Sequence, residues 1–88
     1  MRLEPGETIE DLQNGFAIIQ NREYFAFGTD AVLLAHFTHV ETEQRVVDFG
    51  TGCGIIPLLL CAKQRDIHVT GIEIQPEIAD MARRSAAL

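Results

Sequence analysis

The segment with the clearest chemical meaning is Val-Val-Asp-Phe-Gly-Thr-Gly-Cys-Gly, which covers residues 46–54. An apolar run ends at an acid, Asp48, and three glycines follow at alternate positions, Gly50, Gly52 and Gly54. Alternate glycines allow a backbone to pass close to a ligand, because no Cβ stands in the way. A glycine-rich turn between a strand and a helix is a common site for nucleotide cofactors. The segment therefore predicts a cofactor-binding loop.

The spacing of the glycines favours one class of cofactor. The dinucleotide fingerprint has glycines at positions one, three and six, but the sixth position here is Ile55, and the third glycine comes one residue earlier. A carboxylate at Asp48 would repel a pyrophosphate and attract an ammonium or sulfonium group. S-adenosylmethionine lacks phosphate and carries both cationic groups. The loop is thus predicted to bind S-adenosylmethionine rather than a nicotinamide dinucleotide.

A second acid, Glu73, ends the next predicted strand, 19 residues after Gly54. In nucleotide-binding βαβ folds an acid at this distance accepts hydrogen bonds from the ribose hydroxyls. The apolar residue that follows it, Ile74, is suited to contact the adenine. Taken singly, each feature has a plainer explanation: a tight turn, a solvated or helix-capping carboxylate, and simple strand burial. The combination of glycines, Asp48 and Glu73 favours a cofactor site.

These residues require a particular set of elements to position them. The pattern predicts a buried strand at residues 45–49, a helix at 55–64, a strand at 67–74 and a helix from 76 to 88. Strand, helix and strand in this order form the βαβ unit of a parallel sheet. We therefore predict an α/β, Rossmann-like fold, with residues 46–88 as its first βαβ unit, truncated in the last helix. Two strands do not complete such a sheet, so the fold is expected to be incomplete.

Residues 1–45 are predicted to precede this unit as a lead-in, a hairpin and a helix. Residues 1–14 are acidic and expected to be irregular, with at most a turn of helix at residues 8–12. Apolar segments at residues 16–19 and 24–27 predict a β-hairpin.

A helix at residues 31–37 should follow the hairpin, with Thr29 or Asp30 as its N-cap. Because this helix is apolar on nearly all sides, it is expected to be buried.

Composition and charge limit the functions open to the chain. With 88 residues, 47% hydrophobic, it is long enough for one small domain. Its longest apolar run is too short for a membrane span and it begins with no signal pattern, so a cytoplasmic location without membrane contact is predicted. Cys53 and Cys61 are predicted to be reduced thiols, with Cys53 packed rather than nucleophilic.

The formal net charge is −6, with eight acids against three bases in residues 1–45 and five against four in residues 46–88. No basic patch is present, so contacts to nucleic acid phosphates would have to come from residues outside this chain. The three histidines fall on separate predicted elements and match no zinc spacing, so no metal is predicted. Arg83 and Arg84 are expected to be solvated.

Two segments resemble a known family. "VVDFGTGCGIIPLLLCAK" is similar to the first motif of class I S-adenosylmethionine-dependent methyltransferases. "FAFGTDAVLLAHF" resembles the Gly-Thr-Asp element of bacterial tRNA adenine-N6 methyltransferases that act on valine tRNA. The resemblance covers roughly residues 12–88. It implies that Thr29 and Asp30 lie beside the methionine end of the cofactor, a role compatible with capping the helix.

The resemblance further implies a methyltransferase acting on an exocyclic adenine amine of tRNA. The Asn-Pro-Pro-aromatic motif of that family is absent, since the only prolines are Pro5, Pro57 and Pro76. The chain is therefore interpreted as the N-terminal, cofactor-binding portion, without catalytic residues. Two alternatives stay open: a different acceptor, such as a protein glutamine or a small molecule, or a non-catalytic fragment or interaction module that self-associates through exposed sheet edges.

Overall fold

A computed structural model describes residues 3–12, 15–21, 23 and 27–88. Four strands and three helices occur there, and the strands form two separate two-stranded sheets. In chain order the elements are β1 (Glu7–Asp11), β2 (Ala17–Asn21), α1 (Thr29–Phe37), β3 (Arg45–Phe49), α2 (Ile55–Lys63), β4 (His68–Ile72) and α3 (Pro76–Ala86).

The first sheet is an antiparallel hairpin of β1 and β2, in which Glu7 lies opposite Asn21 and Ile9 opposite Ile19. The prediction of an irregular or helical lead-in was wrong for Glu7–Asp11. The reason is that β2 is an apolar strand that requires a partner for its backbone groups, and β1 supplies them. The predicted partner segment at 24–27 lies outside the described residues except for Phe27, which is not in a strand.

Strand β2 is buried on both of its faces. Ile18 packs with Cys53 and Ile55, whereas Ile19 packs with Ile78 and Met81 of α3. The hairpin is therefore enclosed between the beginning of α2 on one side and α3 on the other.

The second sheet pairs β3 and β4 in parallel, with Val46 opposite Val69 and Asp48 opposite Gly71. Helix α2 connects the two strands, and Leu60 packs in one cluster with Val46 and Val69. The predicted βαβ unit is thus confirmed, with element ends within a few residues of those expected.

The opposite face of this sheet carries Val47, Phe49 and Ile72, which are 51%, 79% and 46% exposed. Among the described residues these apolar side chains are only partly covered, so this face of the parallel sheet is largely open to solvent.

Helix α1 differs from its prediction in two ways. Its N-cap is Gly28, not Thr29 or Asp30, and no side chain makes a capping hydrogen bond. Only Ala35 is buried, while Leu34 and Phe37 are 58% and 79% exposed. Because α1 packs mainly on α2, only one side of it is covered, and the expectation of burial on most sides was wrong.

Side chains from α3 attach the hairpin. The guanidinium of Arg84 donates to both carboxylate oxygens of Glu7, at 2.7 and 2.6 Å, and to Asp80 at 2.9 Å. The backbone amide of Ile19 donates to Ser85 Oγ at 2.8 Å. The prediction that Arg84 is solvated was therefore wrong, whereas Arg83 is exposed as expected.

Candidate cofactor-binding site

The glycine loop, Gly50–Gly54, connects β3 to α2. Its three glycines have positive φ, +67°, +59° and +88° at Gly50, Gly52 and Gly54. A Cβ placed on Gly50 would meet no atom within 4 Å. Glycine is therefore required at this position for its backbone conformation, and the space beside it is open to a ligand.

The loop extends the parallel pairing beyond the ends of the strands. The amide of Thr51 donates to the carbonyl of Ile72 at 2.9 Å, and the next amide, of Gly52, donates to Glu73 Oε1 at 2.9 Å. The other carboxylate oxygen of Glu73 accepts from the amide of Gln75 at 3.1 Å, directly before α3. Glu73 thus joins the glycine loop to the start of α3.

The sequence did not indicate that Glu73 bridges the loop and α3. The plainer alternative, a helix-capping carboxylate, comes close, because Glu73 accepts the amide directly before α3. Each carboxylate oxygen has a second lone pair, so the contacts to Gly52 and Gln75 leave acceptor capacity for a ligand. The carboxylate is also held in one orientation, which reduces the entropy that a ligand would have to overcome.

Asp48 is half-buried at the end of β3, on the covered face of the sheet. Its Oδ2 atom is buried and has no hydrogen-bond partner among the described residues. A buried acceptor without a donor is costly. A donor from a ligand at the glycine loop would remove that cost, so the residues present fit a cationic cofactor.

The Gly-Thr-Asp segment lies next to the same cluster as the loop. The residues on either side of it, Phe27 and Ala31, pack against the cluster that contains Cys53. An Oδ1 atom of Asp30 lies 2.8 Å from the position of a Cβ on Gly28, so the carboxylate folds back over the glycine. Thr29 itself is exposed.

Ile74 is 92% exposed, immediately after Glu73. It lies beyond the end of β4, so the plainer explanation for it, burial within the strand, is wrong. An exposed apolar side chain next to Glu73 is available for contact with a ligand.

The model of the family "Methyltransferase small domain" matches residues 22–88. The chain belongs to this family. The resemblance read from the two motifs is therefore confirmed, and the methyltransferase family in general uses S-adenosylmethionine.

Several curated tRNA1(Val) (adenine(37)-N6)-methyltransferases are similar to this methyltransferase domain. The protein of a Flavobacteriaceae bacterium (strain 3519-10) is 30% identical over 70 residues, which cover 80% of this chain and 30% of the relative. That of Yersinia enterocolitica is 34% identical over 73 residues, 82% of this chain and 29% of the relative. That of Mannheimia succiniciproducens is 44% identical over 50 residues, which cover 56% of this chain and 20% of the relative. The chain spans about 30% of the length of the first two relatives.

Within the methyltransferase domain, Cys53 is fully buried in the glycine loop. Burial raises the pKa of its thiol to about 11. At neutral pH the thiol is therefore protonated, and a nucleophilic role is disfavoured. Burial also raises the pKa of Cys61, and both cysteines are free.

A cavity of about 430 Å³ lies behind the glycine loop, between α2, β4 and α3. Gly54 and Glu73 line it, but Asp48 and Ile74 do not. Its remaining lining is mostly apolar, and the open space beside Gly50 lies outside it.

Over residues 3–12, 15–21, 23 and 27–88, no group of three or more His, Cys, Asp or Glu side chains is placed to hold a metal ion. In the same part of the chain, no helix combines the length and the apolar character needed to cross a membrane.

Proposed function

We propose that this chain binds S-adenosylmethionine at the glycine loop and is the cofactor-binding portion of a cytoplasmic tRNA adenine-N6 methyltransferase. The observation that carries the proposal is the buried, unpaired Oδ2 of Asp48 at the start of a loop in which the amide of Gly52 donates to Glu73. A cationic ligand would supply the missing donor to Asp48, and a ribose would use the free acceptor capacity of Glu73.

Each remaining predicted residue has a place in this arrangement. The positive φ of Gly50, Gly52 and Gly54 sets the conformation of the loop, and the open space beside Gly50 would allow close approach of the cofactor to the backbone. Thr29 and Asp30 are assigned to its methionine end, and Ile74 to its adenine. When bound, S-adenosylmethionine would supply an electrophilic methyl group.

The proposed acceptor, an adenine amine of tRNA, rests on the names of the relatives. With a net charge of −6, these 88 residues offer little attraction to phosphates. We therefore assign tRNA binding and catalysis to residues outside this span, and no catalytic residue is proposed within it. A protein glutamine or a small molecule is the alternative acceptor.

Isothermal titration calorimetry on the 88-residue chain tests cofactor binding. We expect heat on addition of S-adenosylmethionine and none with NAD. Asp48→Asn and Glu73→Gln should each weaken binding about tenfold or more, equivalent to about 1.4 kcal/mol. Glu77→Gln is the matched control, because Glu77 is an exposed acid in the first turn of α3, and its affinity should equal that of the wild type.

A folded chain that gives no heat with S-adenosylmethionine would contradict this proposal. It would favour the second function, a non-catalytic interaction module. That alternative is supported by the uncovered face of Val47, Phe49 and Ile72, together with the edges of a two-stranded sheet, which favour self-association. Sedimentation velocity over a range of concentrations would then show dimers or larger species.

A further inference from the structure

The side chain of Thr51 lies against the bare backbone of Gly71. A Cβ placed on Gly71 would be 2.8 Å from both Cγ2 and Oγ1 of Thr51 and 2.9 Å from its Cβ. Distances below 3.0 Å essentially never occur for real Cβ atoms, so any side chain at this position would displace Thr51. Thr51 is only 7% exposed, and the space next to it and Gly71 is the cavity between α2, β4 and α3, so a displaced Thr51 side chain would move into that cavity.

This contact lies directly beside the hydrogen bonds that hold the glycine loop. Thr51 donates its amide to Ile72, and Gly52 donates its amide to Glu73. Two consecutive loop residues are therefore joined to the two residues that follow Gly71. Moving Thr51 away from Gly71 would lengthen both hydrogen bonds.

The contact depends on shape and not on the hydroxyl of Thr51. Its Oγ1 atom is buried and has no hydrogen-bond partner among the described residues. Gly71 is also not among the glycines with positive φ, so the backbone conformation does not require a glycine there. The close approach of Thr51 is what requires it.

We propose that the packing of Thr51 on Gly71 positions Glu73 relative to the glycine loop, and that Thr51 and Gly71 are positioning residues for recognition of the cofactor ribose. This inference rests on the proposed function for its ligand. Its geometric part, the dependence of the Gly52–Glu73 hydrogen bond on Gly71, is independent of any ligand.

Hydrogen exchange tests the geometric part without cofactor. In Gly71→Ala, protection of the Gly52 amide should fall by about tenfold or more, because the loop can no longer close onto β4. Thr70→Ala, a change at the neighbouring residue, which points to the opposite face, should leave this protection unchanged. Unaltered Gly52 protection in Gly71→Ala would overturn the inference.

Ligand discrimination tests the functional part. Wild-type chain should bind S-adenosylhomocysteine about tenfold more tightly than its 2′,3′-dideoxy analogue, which lacks the ribose hydroxyls. In Gly71→Ala this ratio should fall towards one, mainly through weaker binding of the natural compound. An unchanged ratio would overturn the positioning role, whereas failure of the wild type to bind either compound would contradict the proposed function instead.

Two further variants separate a steric cause from general unfolding. The double variant Thr51→Gly with Gly71→Ala removes the whole clash, including the Cβ of Thr51, and should regain Gly52 protection relative to Gly71→Ala alone. Thr51→Val retains the shape and should match the wild type in protection and in ligand ratio. A double variant no better than the single one, or a Thr51→Val chain that behaves like Gly71→Ala, would overturn the inference.

Discussion

The glycine loop and the N-terminal hairpin are attached to the rest of the chain by different kinds of contact. The loop is held by the backbone amides of Thr51 and Gly52, which donate to the last residue of β4 and to Glu73 directly after it, each 21 residues away along the chain. The hairpin is attached by side chains of α3, through Ser85 and Arg84, which are 66 and 77 residues from their partners in the hairpin.

Because of this difference, we expect the loop and the hairpin to contribute to different properties of the protein. The loop continues the ladder of a parallel sheet, so its conformation follows from the strands on either side of it. The hairpin needs α3 to be in place before it can bury Ile18 and Ile19. We therefore expect changes in the hairpin to alter mainly stability, and changes in the loop to alter mainly ligand binding.

The largest effect is expected for Ile19→Ala. Ile19 is fully buried against α3, and its truncation should lower the free energy of unfolding by about 2–5 kcal/mol. Urea unfolding measures the loss. Ile9→Ala is the control, because Ile9 lies opposite Ile19 in the hairpin but is 47% exposed, and it should change stability by only about 0.5 kcal/mol. Equal losses in the two variants would show that α3 does not anchor the hairpin.

The next effect concerns Glu7→Gln and its dependence on pH. The hydrogen bond from Arg84 is the main cause that lowers the pKa of Glu7. A carboxyl with a lowered pKa in the folded state stabilises the protein above its unfolded pKa, and this contribution is lost as the pH falls through the folded value. At pH 7 the variant should be less stable by about 1.5–3 kcal/mol.

The difference between wild type and Glu7→Gln should shrink as the pH falls below about 4, near the unfolded pKa of a glutamate. Urea unfolding of both proteins between about pH 3 and pH 7, a range that brackets the unfolded pKa of glutamate, measures this difference in stability. Glu10→Gln, an exposed acid of β1, should show little difference at any pH. A constant difference across the range would argue against a charge-dependent contact.

Gly50→Ala compares the two regions directly. The positive φ of Gly50 should make alanine cost roughly 1–2 kcal/mol. Gly15, in the turn of the hairpin, also has positive φ and open space around it, so Gly15→Ala should cost a similar amount. Only Gly50→Ala should also weaken binding of S-adenosylmethionine in calorimetry. Equal affinities of the two variants would remove the distinction between loop and hairpin.

The smallest effect is expected for Lys63→Met, which extends the comparison to α1. The ammonium of Lys63 donates to the carbonyls of His36 and Thr38 at 2.7 and 2.6 Å, at the C-terminal end of α1. Loss of this contact should cost about 0.3–1 kcal/mol at low ionic strength and less in salt. Thermal unfolding at two salt concentrations measures this loss of stability. Arg65→Met is the control, because Arg65 is exposed, and it should not show the loss. A salt-independent loss would indicate a packing effect instead.

The sequence was most informative where a residue's role depends on its near neighbours. The strand, loop and helix around Gly50–Gly54 were predicted correctly because an apolar run, spaced glycines and a helical pattern lie within 20 residues. The strand at Glu7–Asp11 was missed because three of its five residues are acids and its pairing depends on β2. Arg84 was missed because its partner, Glu7, lies at the other end of the chain.

A signal for some of these contacts was present in the residues themselves. Gly71 interrupts a strand that is rich in β-branched residues, Val69, Thr70 and Ile72, and an isolated glycine in a strand often marks close approach of another segment. Nothing in the sequence, however, could identify that segment as Thr51.

Sequence alone determined the family, the glycine loop and the acids beside it, because these are set by residue types at short, regular spacings. Tertiary structure alone decided that Glu73 accepts the amide of Gly52, that Asp48 retains an unpaired oxygen, and that α3 anchors the hairpin. The physical reason is that a hydrogen bond or a buried contact depends on distances between segments, and a linear pattern of residue types does not specify them.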